Sequence, residues 1–320
     1  MKTAPFAADL ARFGPTAQQP VVLTLRKSRR YCRRLARRHY ENFTAASLLL
    51  PRHLRQHFCN IYAYCRWADD LADEVGDPQQ SLALLRWWER LVYECYQGQA
   101  THPVFVALAD TVRRFAIPIE PFLDLLVAFR QDQQVTRYET FGDLLNYCHY
   151  SANPVGRLVL YLAECFTPER ARLSDAVCTG LQLANFWQDV ARDYDQGRIY
   201  LPQVDCRHYQ FDESAFAGRK CTEGFRRLMA AMVVEAEACL RRGLPLATKA
   251  PEEFQLPIAL FAHGGLTILA SIRGQNYDVW SKRPTVSFWE KLWLGAVCWW
   301  KLRRGTLLEE LHEDHPDDAT

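Results

Sequence analysis

Between its prolines this chain repeats apolar residues every three or four positions and almost never alternates them with polar ones. Leu82, Leu85, Trp88, Leu91 and Val92 form one such run, and that interval lines up side chains on one face of an α-helix. Only Val21 to Leu25 offers a strand pattern, and it is short. Asp77-Pro78 and Thr167-Pro168-Glu169 each pair a capping side chain with a first-turn proline. Pro51, Pro118, Pro121, Pro202, Pro251 and Pro257 read as further helix breaks. The pattern predicts an all-α chain of roughly nine to eleven helices. Residues 1–20, rich in Ala, Pro and Gln, are expected to form a flexible tail, and 21–320 a single domain.

Composition narrows the function classes. A chain of 320 residues that is 49% apolar and 24% charged can bury a substantial core. A net charge of +2 excludes a strongly basic nucleic-acid binder. The eleven cysteines are scattered, with no CxxC pair, and most lie among apolar residues. They read as reduced thiols packed as small hydrophobes. No apolar leader follows Met1, so the expected location is cytoplasmic. The longest apolar candidate, Phe288 to Leu302, is interrupted by Glu290, Lys291 and Lys301, and no spanning helix is expected. Within it, Trp299 and Trp300 read as core or interfacial packing side chains.

Residues 26–38 hold eight arginines or lysines, paired at Arg29/Arg30, Arg33/Arg34 and Arg37/Arg38. They suit a solvated helix face or, alternatively, attraction to an anionic membrane surface.

Two acidic columns carry the chemistry. Asp69 and Asp73 stand four apart, with Asp70 and Glu74 beside them, and the same column runs back through Cys65, Tyr62 and Phe58. Carboxylates that continue an apolar stripe are expected to point inward, where a bare charge is expensive and a hard divalent cation such as magnesium relieves it. Asn185, Asp189 and Asp193 repeat the four-residue interval, opposite Trp187, Val190, Ala191 and Tyr194. Either column alone is more often a solvated face. Two of them in one helical chain suggest metal ligands from facing helices, with a diphosphate as the remaining ligand.

At these residues, over about positions 26–305, the sequence resembles the squalene/phytoene synthase family, and within it the hopanoid-pathway hydroxysqualene synthase branch. Arg66, Asp69, Asp70 and Asp73 match the first aspartate motif, and Gln182, Asn185, Asp189 and Asp193 the second. Gly197-Arg198-Ile199-Tyr200-Leu201-Pro202 matches the tail of that motif, Tyr147 the cavity tyrosine, and Asn276-Tyr277-Asp278-Val279 a C-terminal element. The resemblance implies the type I isoprenoid synthase fold, a helical bundle around a deep apolar cavity. It implies magnesium ligation by Asp69, Asp73, Asn185, Asp189 and Asp193, with Tyr147 and the four aspartates catalytic. Arg66, Gln182, Asn153, Arg192 and Arg198 would bind substrate, a prenyl or presqualene diphosphate.

Departures from the family pattern are informative. Members that condense two prenyl diphosphates carry Asn-x-x-Arg-Asp, and here Gln188 replaces that arginine. Gly265 stands where those enzymes have a cavity-edge tyrosine, and Ser-Ala-Asn153-Pro154-Val-Gly156 replaces a glycine-rich stretch. Arg192, one turn on, is a candidate compensation. The expectation is that one diphosphate is gripped, not two: presqualene diphosphate ionises and water ends the cation, giving hydroxysqualene. No NADPH fingerprint is present, and none is expected. Head-to-head condensation of two farnesyl or geranylgeranyl diphosphates is the alternative, and a non-catalytic assembly protein a third. Peripheral contact with the inner membrane face and with partner pathway enzymes fits a lipid substrate.

Overall fold

The protein is described by a computed structural model over residues 5–17, 23–38 and 51–309. Contacts gather into two compact units, residues 1–135 and 136–320. No strand occurs among the described residues, and one isolated parallel bridge pairs Arg137 with Ile199.

The first unit holds α1 (Pro5–Phe13), α2 (Leu25–Arg38), α3 (Arg55–Asp73), α4 (Pro78–Tyr96), α5 (Pro103–Arg114) and α6 (Glu120–Gln131). Its core is aromatic: Trp67 and Trp88 stack at 5.2 Å, and Tyr64 meets Phe122 edge-on. Asn60 donates to the Ala107 carbonyl at 3.0 Å and to Thr111 at 2.9 Å, joining α3 to α5 without leaving a buried amide unpaired. Asp77 caps α4 as expected, accepting from the Gln79 and Gln80 amides. The expected tail is overturned between residues 5 and 13. There α1 buries Phe6 against Trp67, and Asp9 accepts from Tyr31. Only part of the strand candidate is described. Val21 and Val22 lie outside the described residues, and Leu25 opens α2.

On α2, Ser28, Cys32, Leu35 and Ala36 are buried, while Arg26, Arg30, Arg34 and Arg37 are exposed. Arg29 reaches across to Asp110 at 2.6 Å. The basic run is thus the wet side of an amphipathic helix.

The second unit holds α7 (Phe141–Ser151), α8 (Asn153–Leu162), α9 (Pro168–Gln188), α10 (Val190–Asp195), α11 (Gln203–His208), α12 (Glu213–Phe216), α13 (Glu223–Gly243), α14 (Leu246–Lys249), α15 (Glu252–Gly274) and α16 (Phe288–Arg304). The sixteen helices among the described residues exceed the expected number because several short ones, such as α10, α12 and α14, leave no periodic signal. Thr167 caps α9 through the Arg170 amide. α9 runs through the middle of the unit against α8, α13 and α15.

Close approach there depends on small residues. A Cβ on Gly265 of α15 would stand 2.8 Å from Leu240 Cδ1 of α13 and 3.0 Å from Leu181 Cδ2 of α9. Gly265 therefore has a packing reason, and the space it leaves is filled by leucine, with no room for the tyrosine of condensing relatives.

Pro257 is no break: it lies inside α15. Its missing N–H would have bonded the Glu253 carbonyl, one turn from the helix start, where exposed Glu252 and Glu253 let water take over. Reading Pro257 as a break also hid the length of α15. By length and composition Glu252–Gly274 could cross a membrane, and a third of its most apolar window is buried. All eleven cysteines are free. Burial pushes Cys148 up to about 12, which keeps that thiol protonated and inert.

Candidate active site

In the first unit the acids sit at the C-terminal end of α3. The core face of this helix is Asn60, Ala63, Tyr64, Trp67 and Leu71, and Asp70 lies on its edge with its side chain 3% exposed. Arg66, one turn back, bonds Asp69 at 2.9 Å and Glu74 at 3.3 Å and also pairs with Asp70. Burial still outweighs the guanidinium and raises Asp70 to about 7. The acid that turns inward is not one of the pair that the four-residue interval suggests. The inward carboxylate is Asp70, whereas Asp69 is half-exposed, Asp73 is exposed, and Phe58, Tyr62 and Cys65 behind them are half-buried. A helical rotation of 100° per residue decides it, because Asp70 stacks three beyond Trp67 and Asp69 does not.

In the second unit the other column keeps its interval across a break. α9 ends at Gln188 and α10 starts at Val190, yet the Asp189 amide bonds Asn185 and the Asp193 amide bonds Asp189, both at 2.9 Å. Asn185 is exposed and Gln182 half-buried. Asp189 is held by an arginine from far along the chain. Arg283 donates from Nε and Nη2 to its two carboxylate oxygens at 2.5 and 2.8 Å, a bidentate fork. The same guanidinium reaches the Gln188 amide oxygen at 3.0 Å, and Gln188 donates to the Pro284 carbonyl at 2.5 Å. Arg192, expected to compensate for Gln188, is mostly exposed and lies 3.6 Å from Asp189. Arg283 joins it there in closer contact with the same carboxylate.

The chain reaches this point by a turn that the sequence flagged only as a motif. α15 ends at Gly274, and Asn276 and Tyr277 take left-handed backbone angles of +51° and +61°. Asp278 accepts from the Trp280 and Ser281 amides, and Trp280 packs against Tyr194, Phe216 and Phe225. That anchor aims Arg283. Locally Ser281-Lys282-Arg283-Pro284 looks like any solvated turn, so nothing in the sequence singled it out.

Asp193 is raised to about 7 by burial and by the charge of Asp189, against the pull of Arg198 and Arg192. Beyond it the chain turns at Gly197, whose φ of +78° suits glycine. The following residues are tied down by Ile199 N–H to Thr136 at 2.9 Å and by Arg137 to the Gly197 carbonyl at 2.6 Å. Tyr200 stacks on Phe186 at 3.9 Å, and buried Tyr147 of α7 faces both at 6.0 and 6.2 Å. Tyr147 thus joins an aromatic cluster beside Asp193 and Arg198, which line a small cleft with Phe186 and Tyr200. Asn153 stands apart from it: buried, it accepts from the Thr179 hydroxyl at 2.9 Å between α8 and α9.

Among the described residues no three acid, histidine or cysteine side chains form a ready metal cage. The donors nonetheless suit magnesium, which binds through one or two carboxylates and takes its other oxygens from phosphate and water. Asp189 already pairs with Arg283, and burial together with the charge of Asp189 raises Asp193, a cost that a bound cation would relieve.

The squalene/phytoene synthase family matches residues 36–290. The chain is similar to a solved squalene synthase, HpnC, from Alicyclobacillus acidocaldarius, with 45% identity and a TM-score of 0.76, over 81% of this chain and 97% of that one. A solved dehydrosqualene synthase with a bound ligand gives 26% identity and a TM-score of 0.77, over 88% and 98%. A 15-cis-phytoene synthase of Synechococcus elongatus is 29% identical over 87% of this chain and 94% of its own.

Proposed function

From its membership of the squalene/phytoene synthase family, we propose that this chain converts presqualene diphosphate to hydroxysqualene in the synthesis of squalene or hopanoid precursors, in the cytoplasm. The carrying observation is Gln188. Condensing members place an arginine there, whereas here the side chain is buried and its amide is spent on Pro284 and Arg283. A neutral amide where those members hold a cation leaves position 188 without a grip on a second diphosphate, while Arg283 and Arg192 both pair with Asp189.

In this reading Asp69, Asp73, Asn185, Asp189 and Asp193 would hold magnesium. When bound, the metal would draw charge from the departing diphosphate. Arg66 and Arg198 steady that diphosphate, with Gln182 and Arg192 at its edge. The aromatic faces of Tyr147, Phe186 and Tyr200 stabilise the developing carbocation, and water closes it with loss of a proton. Hydride is not consumed, because capture by water is redox-neutral. Tyr147 orients that water, while Asn153 has its amide oxygen engaged by Thr179.

Condensation of two prenyl diphosphates is the second reading. It is favoured by the names of relatives such as the phytoene synthase above and by Arg283, which restores a cation beside Asp189. Steady-state kinetics separate the two. The proposal expects kcat/KM for presqualene diphosphate to exceed that for farnesyl diphosphate at least tenfold, and comparable turnover of farnesyl or geranylgeranyl diphosphate alone would move the assignment to condensation.

A further inference from the structure

Of the two roles expected for Trp299 and Trp300, core or interfacial packing, their exposure leaves the interfacial one. α16 buries Cys298 in a cluster with Ala247, Ala259 and Leu307, with Leu294 and Leu302 packed alongside. Its opposite face carries Trp293, Ala296, Trp299, Trp300, Arg303 and Arg304, all exposed. Trp293 is 68% exposed, and Trp299 and Trp300 are 47% and 46%. Steps of three, four and seven keep these six within one arc of the helix. A solvated helix face ordinarily bears charged or small residues. Three exposed indoles on one arc of a helix make an apolar surface of the kind that marks an interaction site.

Its chemistry selects the partner. Arg303 lies over the Trp299 ring at 4.2 Å and Arg304 over Trp300 at 4.1 Å, each one helical turn apart. Indoles with guanidinium groups beside them belong at a boundary where one side is apolar and the other anionic. The last turn is basic, with Lys301, Arg303 and Arg304, while the acid of the helix, Glu290, lies at the other end. α2 offers charge without this apolar component, since its apolar residues other than Leu25 are buried or half-buried.

We infer that α16 is a membrane-docking helix, which seats Trp293, Trp299 and Trp300 in the interface of a bilayer containing anionic phospholipid and lays Arg303 and Arg304 on the headgroups. The site is independent of which diphosphate the enzyme consumes. It also moves the membrane contact away from the basic helix α2, where charge alone had placed it.

Flotation of the full chain with phosphatidylcholine vesicles, with and without phosphatidylglycerol, tests the inference. The wild type should float with the phosphatidylglycerol vesicles and show tryptophan quenching by lipids brominated in their acyl chains. Trp293→Ala/Trp299→Ala/Trp300→Ala should cut partitioning at least tenfold with an unchanged circular dichroism spectrum. Arg303→Glu/Arg304→Glu should abolish the preference for anionic vesicles, and Arg26→Gln/Arg30→Gln/Arg34→Gln should leave partitioning within twofold of wild type. A wild type that stays with the aqueous fraction, or a triple tryptophan variant that floats as well as wild type, overturns it. So does a dimer, seen by sedimentation, that the tryptophan substitutions dissolve while vesicle binding stays unchanged.

Discussion

At the scale of single residues, the decisive contact is the fork between Arg283 and Asp189. A bidentate guanidinium occupies the oxygens that a metal would need, so Arg283 and magnesium compete for Asp189. Arg283→Gln should therefore lower the magnesium concentration that half-saturates the substrate-free protein by several-fold, read by tryptophan fluorescence or thermal shift. Weaker magnesium binding by that variant would show that Arg283 assists the metal. Asp69→Ala, Asp73→Ala, Asp189→Ala and Asp193→Ala should each reduce turnover by about a hundredfold or more, with helicity unchanged. An Asp189→Ala protein of near-normal activity would remove the second column from the site.

Protonation belongs to this scale as well. Asp70 and Asp193 both rise from the usual 3.8 to about 7, chiefly because burial penalises their charge. An acid whose pKa is raised on folding takes up a proton as the chain folds. Its stabilising contribution is complete below about pH 4 and is lost as pH climbs through 7. Magnesium requires the ionised form, so the rise in melting temperature caused by magnesium should widen from pH 5.5 to pH 8. A magnesium effect that is flat across that range would contradict the assignment of Asp193 as a ligand.

At the scale of helices, the sequence was legible where local chemistry decides and opaque where distant contacts do. Asp77 and Thr167 announce the starts of α4 and α9 because a cap needs only its own amides. The four-residue interval of Asn185, Asp189 and Asp193 survives the break at Asp189 because the i to i+4 bonds persist through it. By contrast, Arg283 reaches Asp189 only through the turn at Asn276 and the anchoring of Trp280, and periodicity cannot report such a contact. The inward turn of Asp70 was within reach of periodicity, three beyond Trp67, but the stripe through Phe58, Tyr62 and Cys65 pointed to Asp69 instead. Gly265 illustrates the same limit: compared with a relative it reads as a lost tyrosine, and in place it is a close crossing of α15 with α9 and α13. Gly265→Ala should destabilise the protein by about 1–3 kcal/mol, the usual cost of overpacking, in denaturant unfolding. A neutral or stabilised variant would show that Leu240 and Leu181 yield without strain.

At the scale of the whole molecule, each compact unit contributes one acidic column to the proposed reaction. Residues that act as a unit in catalysis are strongly non-additive. Asp69→Ala and Asp189→Ala combined should therefore cost little more than either alone, and fully multiplicative losses would indicate independent roles. The fate of the carbocation is the central claim, and the most direct measurement is turnover of presqualene diphosphate in ¹⁸O-labelled water with magnesium and no NADPH. Hydroxysqualene carrying one solvent oxygen, at a rate that added NADPH does not change, is the predicted result. Alcohol without the label, or squalene formed only when NADPH is supplied, would contradict it.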